Sequence, residues 1–84
     1  MKAKHAKTLR AIFTVPTLTS IKFSDIEALF VSLGATIEEG AGSRVSFFLG
    51  GVRLYFHRPH PGKEARRYQV EVVREHREKT GVTP

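Results

Sequence analysis

The residues best suited to chemistry in this chain lie in one stretch, residues 56–61, which reads FHRPHP. An imidazole has a pKa near neutrality, so His57 and His60 can each accept and donate a proton there. The arginine between them stays protonated and suits a phosphate oxygen. The stretch therefore predicts acid–base chemistry on an anionic substrate. A polar turn is the alternative, in which His57 ends a strand and His60 fills a proline-bounded turn.

Composition favours a small single domain with an anionic partner. The 84 residues carry 14 Lys and Arg against 8 Asp and Glu, a formal net charge of +6, which suits nucleic acid among other acidic partners. No apolar segment is long enough to span a bilayer, so we expect a cytoplasmic protein with no membrane partner. There is no cysteine, and the four histidines are not spaced like a common ligand set. We expect neither a metal nor a cofactor.

Two helices are predicted in the first half of the chain, separated by a linker that contains proline. The first, over residues 4–13, is basic on one side and apolar on the other. We expect its apolar face to pack on a sheet or on a partner protein, and the alternative is that its basic side lies on nucleic acid. The second runs over residues 24–33. Ser24 and Glu27 have the spacing of a capping box at its start, and Gly34 is typical of a helix end.

Three strands are predicted next, over residues 35–39, 43–49 and 52–57. Gly50-Gly51 indicates a two-residue hairpin loop, because the turns that join such strands require positive φ. Counting outward from the two glycines gives the register, and alternation assigns each pair to a face. The pairs expected on the buried face are Leu49 with Val52, Phe47 with Leu54 and Val45 with Phe56, and those expected on the open face are Phe48 with Arg53, Ser46 with Tyr55 and Arg44 with His57.

A last helix is predicted over residues 67–80, with Val70 and Val73 inward and Gly81 as its cap. Residues 75–79 contain no apolar side chain, so we expect that half to be solvated or covered by a partner. The order helix, helix, three strands, helix predicts an α+β fold in which a three-stranded antiparallel sheet packs against helices. We expect one domain over residues 1–84.

The register brings His57 beside Arg44 on the open face. A neighbouring cation lowers the pKa of a histidine and favours the neutral base, and an arginine holds the charge that develops on a phosphate. Tyr55 on the same face is a candidate for stacking on an unpaired base. The basic run after the last strand either follows a phosphate backbone or is simply solvated. The candidate ligands of a nucleic acid or its phosphates are Arg44, Arg53, Arg58, Lys63, Arg66 and Arg67, and the candidate catalytic residues are His57 and His60.

Several short motifs resemble the HicA family of bacterial toxins over about residues 21–83. They are residues 24–29 (SDIEAL), Leu33-Gly34, Gly42-Ser43, residues 56–61 and Gly81-Val82. The resemblance implies a double-stranded-RNA-binding-domain-like α-β-β-β-α core, here preceded by an extra helix and linker in residues 1–20. It also implies metal-independent cleavage of mRNA and neutralisation by a HicB antitoxin.

The chain departs from the family pattern at the start of the second strand. Typical members carry Gly-Ser-His there, and that histidine is taken as catalytic, whereas this chain has Gly42-Ser43-Arg44. An arginine stays protonated near neutrality and cannot serve as the base. The departure indicates a divergent branch in which His57 and His60 supply base and acid, in an order that the sequence leaves open. The alternative is a non-catalytic RNA-binding or partner-binding module with a toxin-like fold.

Overall fold

The chain folds into three helices and one three-stranded sheet, in the order that the sequence predicts. The structure is a computed structural model and describes residues 1–84. Its strands are antiparallel and lie in the order β1-β2-β3, which confirms the α+β prediction. None of the helices has the length and apolar character needed to cross a lipid bilayer. The elements are α1 (Ala3–Ile12), α2 (Phe23–Ser32), β1 (Thr36–Glu39), β2 (Arg44–Leu49), β3 (Val52–His57) and α3 (Arg67–Thr80).

Helix α2 forms where it is predicted, but its predicted capping box is wrong. The N-cap is Lys22, which makes no side-chain capping bond, and Ser24 lies inside the first turn. The carboxylate of Glu27 instead accepts a hydrogen bond from the guanidinium of Arg58. This bond is charge-assisted at both partners, and it joins α2 to the segment after β3. The other end is as predicted, because Gly34 has a φ of 96° and closes the helix.

The β2–β3 hairpin has the predicted register at all six pairs, from Leu49 with Val52 to Arg44 with His57. Gly50 and Gly51 have φ values of 62° and 76°, the positive values that a two-residue turn requires. The expectation that every inward pair is buried is wrong at Val52, which is exposed. This residue opens β3 beside the turn, at the end of the sheet.

The core lies between the sheet and the helices, and four of its 13 buried side chains are phenylalanines that contact one another. The ring centroid of Phe47 in β2 lies 5.0 Å from that of Phe30, 5.4 Å from that of Phe56 and 5.7 Å from that of Phe23. At these distances aromatic pairs stabilise a core by more than the burial of their surface area. Helix α2 supplies two of these rings and the sheet two. The aromatic contacts therefore fix α2 against one face of the sheet.

Helix α1 packs against α2 and α3, so the expectation that its apolar face lies on the sheet is wrong. Its buried side chains include Leu9 and Ile12. Arg74 of α3 donates hydrogen bonds to the carbonyl oxygens of Ile12 at 2.8 Å and Thr14 at 3.1 Å, and to Oγ1 of Thr17 at 2.9 Å. A cation at a helix C-terminus satisfies free carbonyls and the helix dipole, and this contact fixes α1 and the following segment to α3.

Helix α3 has the predicted bounds, and Val70 and Val73 are buried as predicted. The expectation that its second half is solvated or covered by a partner is wrong for His76 and Arg77, which are 5% and 1% exposed. The guanidinium of Arg77 lies 5.2 Å from the ring centroid of Phe30. Its aliphatic stem and its contact with an aromatic face allow an arginine to occupy a position that pattern analysis assigns to solvent.

Candidate functional site

A groove with a volume of about 450 Å³ crosses the open face of the sheet. It forms because the outward residues of all three strands rise beside the small, buried Ser46. We call it the sheet groove. It contains two arginines, two glutamates, two tyrosines and one histidine. These charged and aromatic lining residues are Arg44, Arg53, Glu38, Glu39, Tyr55, Tyr68 and His57.

His57 is held at its backbone and exposed at its ring. Its carbonyl oxygen accepts a hydrogen bond of 2.8 Å from Nε2 of the buried Gln69 on α3. The carbonyl of Ser43 accepts from the N–H of Arg58 at 2.8 Å, which extends the pairing past the ends of β2 and β3. The side chains of Ser43 and His57 are also in contact, because Oγ of Ser43 lies 3.2 Å from Nδ1 of His57. Nδ1 is therefore engaged, and Nε2 is the nitrogen left for a ligand.

The two arginines of the sheet groove differ in how they are held. Nη1 of Arg53 donates to Glu38 at 3.2 Å and to Oγ of Ser46 at 3.0 Å, and its guanidinium lies 5.1 Å from the ring centroid of Phe48. Arg44 is exposed and takes part in none of the ion pairs of the chain. Arg44 is thus the arginine of the groove with its full charge available, while Arg53 is fixed in place.

Arg58 does not line the sheet groove, and it is paired with two carboxylates, one of which, Glu39, does line the groove. Its Nη1 donates to Glu27 of α2, and its Nη2 donates to Glu39 of β1 at 3.0 Å. The pair of bonds joins the end of the sheet to α2. Because two carboxylates offset its charge, a phosphate must compete with them for this guanidinium. Its predicted role as a phosphate ligand stays a prediction.

The remaining predicted residues lie in the loop after β3 and at the start of α3. His60, Lys63, Arg66 and Arg67 are exposed, and none of them lines the sheet groove. The loop itself is fixed, because the carbonyl of Lys63 accepts from the N–H of Phe23 at 2.9 Å. Of the predicted set, the structure brings together Arg44, Arg53, Tyr55 and His57. The roles predicted for all of these residues stay predictions.

Sequence reasoning missed several residues that shape the site. Ser43 contacts His57, and a continued hairpin count places it next to the last pair. Glu38 enters the groove through its pairing with Ser46, which requires the register of β1 that the sequence does not fix. Tyr68 lies in the first turn of α3, and no local pattern assigns an exposed helical tyrosine to a groove on a distant sheet. No group of three or more His, Cys, Asp or Glu side chains is arranged to hold a metal ion.

The arrangement combines an exposed imidazole, an unpaired guanidinium and two exposed aromatic rings in one groove. A sheet with helices on one face and such a groove on the other defines an α+β domain of the double-stranded-RNA-binding-domain-like class. The family model described as the HicA toxin of bacterial toxin–antitoxin systems matches residues 23–80, from α2 to α3. The chain therefore belongs to the HicA toxin family.

Membership of this family makes the chain the toxin component of a toxin–antitoxin system, in which a toxin has an antitoxin partner. The matched residues include the whole sheet groove and leave out α1. No curated protein and no solved structure matches the chain.

Proposed function

We propose that this toxin is a metal-independent endoribonuclease that cleaves mRNA in the sheet groove and is neutralised by a HicB antitoxin that covers the groove. The observation that carries the proposal is the position of His57, whose ring is exposed in the groove with Nδ1 on Ser43 and Arg44 across the hairpin. An imidazole beside a free guanidinium supplies both the proton transfer and the charge stabilisation that RNA cleavage requires.

In the proposed reaction, Nε2 of His57 takes the proton of a 2′-hydroxyl group. The 2′-oxygen bonds to the adjacent phosphorus, the bond from phosphorus to the 5′-oxygen breaks, and that oxygen receives a proton from His60. The products are a 2′,3′-cyclic phosphate and a 5′-hydroxyl. In the reverse assignment His60 takes the first proton and His57 supplies the second. Arg44 holds a non-bridging oxygen as negative charge develops on the phosphorane.

Ser43 positions the base in this mechanism. We assign the proton of neutral His57 to Nδ1, which then donates to Oγ of Ser43 at 3.2 Å. This tautomer leaves the lone pair of Nε2 for the 2′-hydroxyl. His57 has stronger support than His60, which lies three residues further on and outside the groove lining.

The RNA backbone is proposed to leave the groove along the basic residues of the loop and of α3. A net charge of +6 favours a polyanion, and Lys63, Arg66 and Arg67 are all exposed. Tyr55 offers a face on which an unpaired base stacks. Arg58 has the least support as a phosphate ligand, because Glu27 and Glu39 already occupy its guanidinium.

The second candidate is a binding module with the same ligands and no catalysis. The observation that favours it is Arg44, which stands where the resemblance leads us to expect a histidine. An arginine there binds phosphate but exchanges no proton near neutrality. The two candidates make the same contacts with RNA and differ in whether a bond breaks.

The chemistry is tested with purified protein and a 5′-labelled single-stranded RNA in the presence of EDTA. We expect cleavage with a 2′,3′-cyclic phosphate end, and no cleavage at a position where the 2′-hydroxyl is replaced by hydrogen. Intact RNA after incubation with the folded protein supports the binding module. Cleavage that requires an added divalent metal contradicts the proposal.

The roles of the two histidines are separated with a substrate whose leaving group needs no proton, uridine 3′-(4-nitrophenyl phosphate). A variant that lacks the general acid regains activity on this substrate, and a variant that lacks the base does not. We expect His60→Ala to be rescued and His57→Ala to stay inactive. Rescue of His57→Ala alone reverses the assignment.

Expression in a bacterium with and without the neighbouring gene tests whether that gene encodes the antitoxin. We expect growth arrest only when the neighbouring gene is absent.

A further inference from the structure

The sheet groove contains groups that neither phosphate binding nor proton transfer uses. The chain has two tyrosines, and both line this groove, with Tyr55 77% and Tyr68 54% exposed. Two carboxylates, Glu38 and Glu39, line it as well. Glu39 is already paired with Arg58, whereas Glu38 is 58% exposed at its side chain. A carboxylate repels phosphate, so a groove that only follows an RNA backbone gains nothing from the exposed Glu38. The aromatic and acidic lining points to a ligand with a flat face and N–H donors.

The sheet register builds a slot for one base. Glu38, Ser46 and Tyr55 are cross-strand partners in one row, and neighbouring strands lie about 4.8 Å apart. The two outer residues of the row are therefore separated by roughly 10 Å at the backbone. Ser46 between them is small and buried, so it forms a floor with a long side chain on either side.

A carboxylate and a guanidinium stand in contact at the edge of this slot. Arg53 donates to Glu38 at 3.2 Å and to Ser46 at 3.0 Å, and it packs over Phe48. Three contacts thus fix the guanidinium, and the side chain of Glu38 is still 58% exposed. The pair presents a fixed acceptor next to a fixed donor, both within reach of a ligand.

Guanine is the RNA base that matches this pair. It has two adjacent donors, N1–H and the N2 amino group, on one edge and two acceptors, O6 and N7, on the next. The two edges meet between N1 and O6, so a carboxylate and a guanidinium that touch each other can bind both. Adenine and cytosine have one amino group beside a ring acceptor, and uracil has one N–H between two carbonyls. None of these three offers two adjacent donors to a carboxylate.

We propose that the sheet groove binds an unpaired guanine, with N1–H and N2 on Glu38, O6 and N7 on Arg53, and the base stacked on Tyr55 or Tyr68. This inference rests on the proposed function, because it takes RNA as the ligand. It adds the base that the site selects and the residues that read it. Glu38 and Arg53 determine specificity, whereas the tyrosines supply affinity that every base shares.

The test uses fluorescently labelled trinucleotides, UGU, UAU, UCU and UUU, in which every 2′-hydroxyl is methylated. Methylation removes the nucleophile, so the wild-type protein binds these probes without cleaving them, and anisotropy gives each Kd. We expect UGU to bind at least about tenfold more tightly than the other three. Replacement of the central guanosine by inosine removes the N2 amino group without any change in the protein. We expect this to weaken binding several-fold.

Three variants assign the effect to residues. Glu38→Gln is expected to weaken UGU about tenfold and the other probes little, because an amide accepts through one oxygen only. Tyr68→Ala is expected to weaken all four probes by a similar factor. Glu75→Gln is the matched control, since Glu75 is exposed on α3 and paired only with Lys79, and all four Kd values should stay unchanged.

Equal affinity for the four trinucleotides, or binding of none, overturns the inference, as does an inosine probe that binds as well as UGU. The inosine result holds even where a variant fails to fold. If the protein cleaves RNA but binds the four probes equally, the guanine site is wrong and the proposed nuclease function stands. If it prefers UGU but leaves RNA intact, the guanine site stands and the proposed nuclease function is wrong.

Discussion

The chain contains two histidine–arginine pairs, and they differ in almost every respect except residue type. Arg44 and His57 face each other across the β2–β3 hairpin, where both are exposed. His76 and Arg77 are neighbours on α3, where both are buried. The comparison shows what burial does to the same two side chains.

Both ring nitrogens of His76 are used inside the protein. Nδ1 lies 2.9 Å from Nη2 of Arg77 and accepts from it, so the ring proton is on Nε2, which lies 3.3 Å from the carbonyl oxygen of Leu49. Burial lowers the pKa of His76, and the charge of Arg77 lowers it further, against a smaller opposite effect of the Leu49 carbonyl. His76 is therefore neutral and has no nitrogen left for a ligand.

Arg77 is a buried cation without a carboxylate partner. None of the four ion pairs of the chain includes it, and burial lowers its pKa. Its stabilising contacts are the ring of Phe30 and Nδ1 of His76. The buried pair thus serves packing, whereas the exposed pair has a free guanidinium and a free Nε2. Residue type and adjacency cannot tell the two pairs apart, and their surroundings can.

The largest effect expected from this comparison is that substitution of His57 lowers activity but not stability, whereas substitution of His76 lowers stability. His57→Ala should lower the rate of RNA cleavage about 100-fold or more, because it removes the proposed base, and should leave stability within about 0.5 kcal/mol. His76→Ala should cost about 1–3 kcal/mol of unfolding free energy through a cavity and an unsatisfied guanidinium. Cleavage assays below the unfolding transition and urea denaturation measure the two effects. A His57 variant that cleaves at the parent rate removes the functional half of the comparison.

Substitution of Arg77 should lower the free energy of unfolding more than substitution of Arg44, as for the two histidines, but the difference should be smaller. Arg77→Ala is expected to lower the free energy of unfolding by about 2 kcal/mol, since it opens a cavity and leaves Nδ1 of His76 without a donor. Relief of the buried charge offsets part of the loss. Arg44→Ala, the exposed control, should change stability by less than about 0.5 kcal/mol. An equal loss of unfolding free energy in the two variants would contradict the expectation that the buried arginine contributes more to stability.

The exposed pair is the half of this comparison that the sequence predicts. The Gly50-Gly51 turn and strict alternation set the register, and the register alone places Arg44 opposite His57. The buried pair cannot be predicted this way, because residues 75–79 contain no apolar side chain to indicate an inward face. Their burial depends on the ring of Phe30, which is distant in sequence.

The sheet groove shows the same limit. Its histidine and arginines follow from one hairpin, but Tyr68 enters from α3 and Glu38 from β1. The capping box at Ser24 fails for a related reason, because Glu27 finds a tertiary partner in Arg58. Local spacing predicts the hairpin pairing, and it fails where a charged side chain has a partner that is distant in sequence.

The buried pair should make stability depend on pH. The ordinary pKa of His76 is 6.5 and its folded-state pKa is lower, so the unfolded chain binds the proton first as pH falls. The contribution of His76 is therefore complete above pH 6.5 and is lost as pH falls below it. The loss is at most about 1.4 kcal/mol for each pH unit. Urea denaturation from pH 7.5 to pH 4.5 measures it, and His76→Gln should flatten the curve below pH 6.5.

Arg58 provides an arginine of intermediate exposure, with its guanidinium tied to Glu27 and Glu39 rather than free or buried. Exposed and half-exposed ion pairs contribute roughly 0–1 kcal/mol, so Arg58→Ala should cost stability by about that amount, between the results for Arg44 and Arg77. Its effect on RNA affinity should also be smaller than that of Arg44→Ala, because two carboxylates already offset its charge. The slope of log affinity against log salt should fall by about one for Arg44→Ala and by less for Arg58→Ala. Equal slopes for the two variants would place Arg58 among the phosphate ligands and make ion pairing a poor guide to which arginines of this fold bind RNA.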